Sequence, residues 1–223
     1  MQNISLTDIQ AVIFDLDGTL LDTAHDLGFA LNEMLRQRQR EIISYDRIRP
    51  IASHGSRGLL QLGFGDDFNA QTEHQLRTEF LSVYESCLLS KTRYFEGVQE
   101  LLNQLQCIGI KTGVVTNKPH KYTVPIVQAF DELKAMKSII SGDTLSVAKP
   151  NPEPLLLSAQ QLEVRPEHCL YVGDAARDIE AGRRANMKTV LANWGYFTEQ
   201  DNPESWGYDF VAEAPEAIAQ WLG

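Results

Sequence analysis

Apolar and polar positions along the chain fall into two regimes. From residue 93 onward, short apolar runs alternate with amphipathic stretches, and the runs at 111–116, 138–141, 169–173, 188–191 and 209–211 predict strands. Between them, stretches at 98–107, 119–130, 152–162, 175–186 and 215–222 predict helices. Strands that alternate with helices imply crossover connections and a parallel sheet. Asn151 followed by Pro152 reads as an N-cap with proline at the first helical position.

Residues 22–92 differ, with long helical patterns at 24–38 and 71–89 and no convincing strand. The apolar run at 11–15 reads as the first core strand, because the next strand arrives only near residue 111. The expected organisation is an α/β parallel-sheet core formed by residues 1–21 and 93–223, with residues 22–92 inserted as a helical cap that can close over the strand tips. No internal repeat or low-complexity tract interrupts it.

A chain of 223 residues can bury a full core. Its net charge of −10, with no basic stripe, argues against a nucleic-acid partner. A small anionic substrate stays compatible, because its charge would be met locally by a metal ion and one or two Lys or Arg side chains. Cys87, Cys107 and Cys169 are odd in number and widely spaced, so they are expected as reduced, buried core residues. Residues 1–10 lack a basic patch leading into an apolar stretch, and no run reaches membrane-spanning length. The expectation is a cytoplasmic protein with no membrane partner; the pattern fixes no oligomeric state.

The densest chemistry lies in Ala11-Val12-Ile13-Phe14-Asp15-Leu16-Asp17-Gly18-Thr19-Leu20. Alternation sends Asp15 and Asp17 to the same side of an extended chain, and Gly18 permits the turn that ends the strand. Two close carboxylates suit a divalent cation, or a division of labour in which one attacks and the other shuttles a proton. Taken alone, the pair also reads as a strand end and a solvated turn.

Three more strand ends carry candidate groups. Thr116 and Asn117 precede a helix start whose free N–H groups can bind an anion, although both also read as caps. Lys149 lies in a loop stiffened by Pro150, Pro152 and Pro154, which can hold an ammonium at low entropic cost or leave it solvated. Asp174 and Asp178 are four apart, on one face of an expected helix start. There they also read as acids favoured by the helix dipole, with Arg177 as their salt-bridge partner. Together these residues put four acids, a hydroxyl and a lysine at the carboxyl ends of parallel strands, where open α/β sheets place their ligand crevice.

In this order and spacing the residues resemble the haloacid dehalogenase superfamily of phosphatases, over essentially the whole chain. Within it the chain is similar to the phosphoglycolate phosphatase-like branch, which includes N-acetylmuramic acid 6-phosphate phosphatases; residues 94–97, 116–119 and 201–207 look closer to the latter. The resemblance implies a Rossmann-like core with a helical cap. It also implies a Mg2+-dependent phosphomonoesterase acting on a small phosphorylated metabolite, 2-phosphoglycolate or N-acetylmuramic acid 6-phosphate, through an aspartyl-phosphate. Asp15 is then the nucleophile, and Asp17 protonates the leaving oxygen before deprotonating water.

By the same resemblance, Asp15, the backbone carbonyl of Asp17, and Asp174 hold Mg2+, with Asp178 assisting directly or through water. Thr116 and Lys149 hold the phosphoryl group. Asn117 is expected against the substrate, and Arg57, in the glycine-rich segment 53–58, reads either as a bidentate partner for a substrate carboxylate or as a surface arginine. His54 is expected as an ordinary loop residue, Asp22-Thr23 as the cap of the first inserted helix and a hinge, and Phe64, Phe68 and Trp194 as core. A sugar-phosphate mutase would use the same core and differ in how the cap excludes water. A phospho-receiver domain would share the acids, threonine and lysine but need no inserted cap.

Overall fold

The computed structural model describes residues 6–198 and 200–223, so residues 1–5 of the expected core segment lie outside the described residues. In chain order the elements are β1 (Ala11–Phe14), β2 (Leu21–Asp22), α1 (Ala24–Gln37), α2 (Tyr45–Ile48), α3 (Gly55–Phe64), α4 (Glu73–Cys87), β3 (Arg93–Tyr94), α5 (Val98–Cys107) and β4 (Lys111–Val115). There follow α6 (His120–Ala129), α7 (Asp131–Lys134), β5 (Ser138–Ile140), α8 (Glu153–Gln161), β6 (Cys169–Gly173), α9 (Ala176–Arg184), β7 (Lys188–Ala192), β8 (Phe210–Ala212) and α10 (Pro215–Leu222).

Six strands form one parallel sheet in the order β5-β4-β1-β6-β7-β8. β1 lies between β4 and β6, with Ala11 opposite both Lys111 and Cys169. A strand with neighbours on both edges and helices on both faces has no solvated side, and all four β1 residues are buried. Alternation divides them: Val12 and Phe14 join Leu101, Ile126 and Ile218 on one face, while Ala11 and Ile13 join Leu155, Leu162 and Ala181 on the other. The chain builds outward from β1 to β5, then crosses back to β6. A crevice therefore opens at the carboxyl end of β1, where the winding direction switches.

The segment between β2 and β3 is helical and packs around a second apolar cluster centred on Leu31, Met34, Leu59, Leu60 and Phe80, to which Tyr122 and Tyr196 contribute from outside the segment. At its two ends, β2 and β3 pair antiparallel, Leu21 with Tyr94 and Asp22 with Arg93. Two residues per strand carry no readable period, which is why the sequence pattern shows no strand there. Asp26, in the first turn of α1, is buried and accepts hydrogen bonds from Lys91 N (2.8 Å), Thr92 N (3.0 Å) and Thr92 Oγ1 (2.7 Å), fastening the returning chain to the outgoing helix.

Element ends shift by at most two residues from the sequence expectation, and those of α5, β6 and α10 do not shift. The first strand ends at Phe14, although Asp15 N–H still donates to Val172 O at 2.9 Å. α8 begins at Glu153, so Pro152 and not Asn151 holds the N-cap position, although Asn151 Oδ1 still accepts from Glu153 N at 2.9 Å. Cys87 and Cys169 are buried, but Cys107, at the last position of α5, is exposed, against expectation. Phe64 is buried, whereas Phe68 and Trp194 are only partly buried. No helix among the described residues is long and apolar enough to cross a membrane.

Replacing Asp26 by alanine removes the acceptor of two backbone donors, those of exposed Lys91 and half-buried Thr92, and of the Thr92 hydroxyl. Asp26→Ala is expected to lower unfolding free energy by about 2–4 kcal/mol, read by denaturant or thermal melts. A loss within experimental error would show that this fastening contributes nothing.

Candidate active site

The turn after β1 is set by Gly18, whose φ of 85° lies in the left-handed region and where a Cβ would overlap the Asp174 carboxylate. It leaves Asp15 buried at the strand tip, with Leu16 N–H donating to its Oδ1 at 2.7 Å.

Lys149 reaches the same point from the loop between β5 and α8. Its Nζ lies 2.9 Å from Asp15 Oδ1, 2.8 Å from Asp178 Oδ1, 2.8 Å from Val115 O and 2.9 Å from Tyr171 Oη, and its side chain is wholly buried. Asn117 latches this loop: its Oδ1 accepts Lys149 N–H at 3.0 Å and its Nδ2 donates to Lys149 O at 3.0 Å. The amide expected against substrate is thus engaged in holding the lysine backbone.

Asp174 and Asp178 do not share a helix face as the spacing of four suggested. α9 begins at Ala176, so Asp174 lies at the end of β6, while Asp178 sits in the first turn with Oδ2 accepting Ala175 N–H at 3.1 Å. They still converge, because strand end and helix start both face the tip of β1. Asp15, Asp174 and Asp178 each offer an oxygen within 4.8 Å of the others. Asp174 also accepts from Thr19 Oγ1 (3.3 Å), Ser53 Oγ (2.5 Å) and Tyr196 N (3.0 Å).

Burial, reinforced by the charges of Asp178 and Asp15, pushes the Asp174 carboxyl up to about 7 despite the hydrogen bonds from Ser53 and Tyr196. Burial likewise raises Asp15, against the pull of Lys149. Three buried carboxylates around one ammonium are short of positive charge. Arg177, 3.8 Å from Asp15 Oδ2, makes up part of it. A hard divalent cation fits this all-oxygen donor set.

Asp17 lies at the mouth of the site. Its carboxylate takes Thr23 Oγ1 at 2.6 Å and Lys118 Nζ at 2.9 and 3.1 Å. Burial works against the Lys118 charge, yet Asp17 and Tyr84 more than offset it and its pKa is raised. The ammonium sits 4.9 Å from the Tyr84 ring centre. Of the pair expected to cap α1, the Thr23 side chain makes no cap bond, while Asp22 Oδ1 accepts Ala24 N–H at 3.4 Å; Tyr196 Oη accepts the N–H groups of Thr23 (2.8 Å) and Ala24 (3.1 Å) and donates to Asp22 Oδ1 (2.8 Å).

Between these strand tips and the helical segment lies a cavity of about 350 Å³. Asp15, Asp17, Thr116, Asn117, Lys118 and Arg177 line its floor; the helical side supplies Arg57, Arg77, Phe80 and Tyr84, with exposed His54 at the edge. Thr116 is buried, and its Oγ1 accepts Lys118 N–H at 3.1 Å, which leaves its hydroxyl proton for a ligand. Arg57 is well exposed and bonds Glu73 through Nε and Nη2, both at 2.6 Å. Lys118, Tyr84, Ser53, Arg77 and Tyr196 were not singled out by sequence. The local hints among them are that Lys118 follows Thr116-Asn117 and that Ser53 opens the glycine-rich segment 53–58.

Residues 12–192 match the family model for haloacid dehalogenase-like hydrolases. The chain belongs to the haloacid dehalogenase-like hydrolase family. All the strand-end acids, Thr116 and Lys149 fall inside the matched residues. The chain is 39% identical over 211 residues to a phosphoglycolate phosphatase of Xylella fastidiosa, covering 95% of this chain and 92% of that relative. It is 36% identical over 214 residues to an N-acetylmuramic acid 6-phosphate phosphatase of Pseudomonas aeruginosa, covering 96% and 95%. Among solved structures, a protein of Haemophilus somnus described as a predicted phosphoglycolate phosphatase superposes with a TM-score of 0.84 at 25% identity, covering 96% of this chain and 98% of that one. In this haloacid dehalogenase-like hydrolase the parallel sheet and its surrounding helices are those of the family.

The raised Asp174 carboxyl makes a stability prediction. Its folded pKa of about 7 exceeds the ordinary 3.8, so between about pH 4 and about pH 7 the folded state binds more protons than the unfolded. Stability of the protein in chelator is therefore expected to fall as pH rises through that window. Asp174→Asn should flatten the dependence and stabilise the chelated protein near pH 8 by on the order of 2 kcal/mol, read by calorimetry. An unaltered pH dependence in the variant refutes this account.

Proposed function

We propose that this protein is a Mg2+-dependent phosphomonoesterase that works through a covalent phosphoryl-aspartate. The observation that supports the reading is the buried Lys149 ammonium held between Asp15 Oδ1 and Asp178 Oδ1 beneath a cavity whose mouth carries Asp17.

Asp15 Oδ1 is engaged by Lys149 and Leu16 N–H, so Oδ2, which has only the more distant Arg177 guanidinium beside it at 3.8 Å among the described residues, is the oxygen that attacks phosphorus. Asp17 gives a proton to the leaving ester oxygen as the P–O bond breaks, then takes one from the water that hydrolyses the intermediate. Thr116, Lys149 and Arg177 stabilise charge on the phosphoryl oxygens, the term on which phosphoryl transfer chiefly depends. Asp15, Asp174, Asp178 and the main-chain carbonyl of Asp17 would hold Mg2+, which supplies charge neutralisation and in-line orientation when bound. Asn117 acts indirectly, by fixing Lys149. Residues 1–21 and 93–223 carry the chemistry, and residues 22–92 act as the cap that keeps water out.

The substrate is a small phosphorylated acid, in keeping with the two kinds of named relative. A cavity of about 350 Å³ walled partly by Phe80, Tyr84 and Tyr122 falls in the range that encloses ligands much larger than 2-phosphoglycolate. This favours N-acetylmuramic acid 6-phosphate.

Phosphate release measured with magnesium tests the mechanism. Asp15→Asn should lower kcat by at least about 10³-fold. A variant within tenfold of wild type would remove Asp15 from the nucleophile's role. Chelation should abolish turnover and added magnesium restore it, whereas full activity in chelator would refute the cation requirement.

A further inference from the structure

The cations lining the cavity differ in how fully they are neutralised. Lys118 is paired with both oxygens of Asp17, and Arg177 faces the acid cluster below. On the cap side, however, Arg57 and Arg77 share one carboxylate. Glu73 Oε1 accepts Arg57 Nε and Nη2 at 2.6 Å and lies 3.5 Å from Arg77 Nη1. Two guanidinium groups against one acid leave an excess positive charge, and both side chains are substantially exposed, 66% and 42%.

The position of that charge matters. Among the described residues, neither guanidinium reaches Asp15 or Asp17; Arg57 pairs with Glu73, and Arg77 with Glu73 and the Ser56 hydroxyl. In 2-phosphoglycolate a single carbon separates the ester oxygen from the carboxylate, which would lie beside Asp17, where Lys118 is already engaged. An acid bound at Arg57 and Arg77 needs a longer body between its two anionic ends. The aromatic walls of Phe80 and Tyr84 provide the apolar surface such a body would cover. Planar guanidinium groups match carboxylate geometry better than they match a point charge.

We propose that Arg57 and Arg77, bridged by Glu73, form a carboxylate subsite for a phosphate ester whose acid lies about a sugar ring from the ester oxygen, with Glu73 as the internal counter-ion that the substrate displaces. This rests on the phosphomonoesterase reading above and adds the residues that select the substrate. Before substrate arrives, Glu73 holds the two arginines in place. An incoming carboxylate takes over the shared donors.

The experiment compares kcat/KM for N-acetylmuramic acid 6-phosphate, N-acetylglucosamine 6-phosphate (the same amino sugar without the lactyl acid) and 2-phosphoglycolate. Wild type should prefer the muramic ester over the glucosamine ester by at least about tenfold, mainly through KM. In Arg57→Met and in Arg77→Met that ratio should fall by about tenfold. Glu73→Gln removes the competing acid and should lower KM for the muramic ester relative to the glucosamine ester, a gain that loss of a merely structural ion pair does not give. A ratio unchanged in both arginine variants, or a wild-type preference for 2-phosphoglycolate, overturns the subsite while leaving the phosphatase reading intact. No hydrolysis of any of the three esters or of p-nitrophenyl phosphate overturns both.

Discussion

The structure depends on one buried ammonium. Lys149 Nζ is removed from water, a placement that costs several kcal/mol unless opposite charge and hydrogen-bond partners are supplied at once. They come from four separate parts of the core: Asp15 at the tip of β1, Val115 O at the end of β4, Tyr171 Oη on β6 and Asp178 in the first turn of α9. The dependence runs both ways, because the three clustered carboxylates repel one another and lack solvent. The sheet order, with β1 between β4 and β6, is what brings these donors and acceptors to one point.

A second layer joins this centre to the helical segment. Tyr196 is the hub: its hydroxyl accepts the N–H groups of Thr23 and of Ala24, the first residue of α1, and donates to Asp22, while its own backbone N–H donates to Asp174. Ser53, from the helical side, donates to the same Asp174 carboxylate. Arg49 donates to Trp194 O at 3.1 Å and its guanidinium carbon lies 5.2 Å from the Tyr196 ring centre. Asp174 is therefore hydrogen-bonded both to Ser53 of the helical segment and to Tyr196, whose hydroxyl holds the start of α1.

Part of this was legible along the chain. Apolar runs ending in Gly or Pro mark where strands stop, and an α/β sheet gathers those ends, so Asp15, Thr116, Lys149, Asp174 and Asp178 could be named as a group. The detailed contacts could not. Asp174 and Asp178 meet because a strand end and a helix start converge, not because a helix repeats every 3.6 residues. Asn117 reads locally as a cap, yet its amide bonds to a loop 32 positions away. Tyr84 occupies an apolar position on an amphipathic helix and carries no mark that its ring will lie against Lys118.

The sequence by itself determined the α/β class, the helical insertion and the order of the acids and the lysine, because hydrophobic period and chain breakers act within a few residues. The tertiary structure alone decided which distant groups pair: Lys118 with Asp17 across 101 positions, the Ser53 hydroxyl with Asp174 across 121, and Arg57 with Glu73, to which Arg77 is a local i,i+4 neighbour on α4. Electrostatic and hydrogen-bonded contacts depend on distance in space and on exclusion of water. For the Lys118–Asp17 and Ser53–Asp174 contacts, both exist only once the sheet is assembled and the helical segment lies over it.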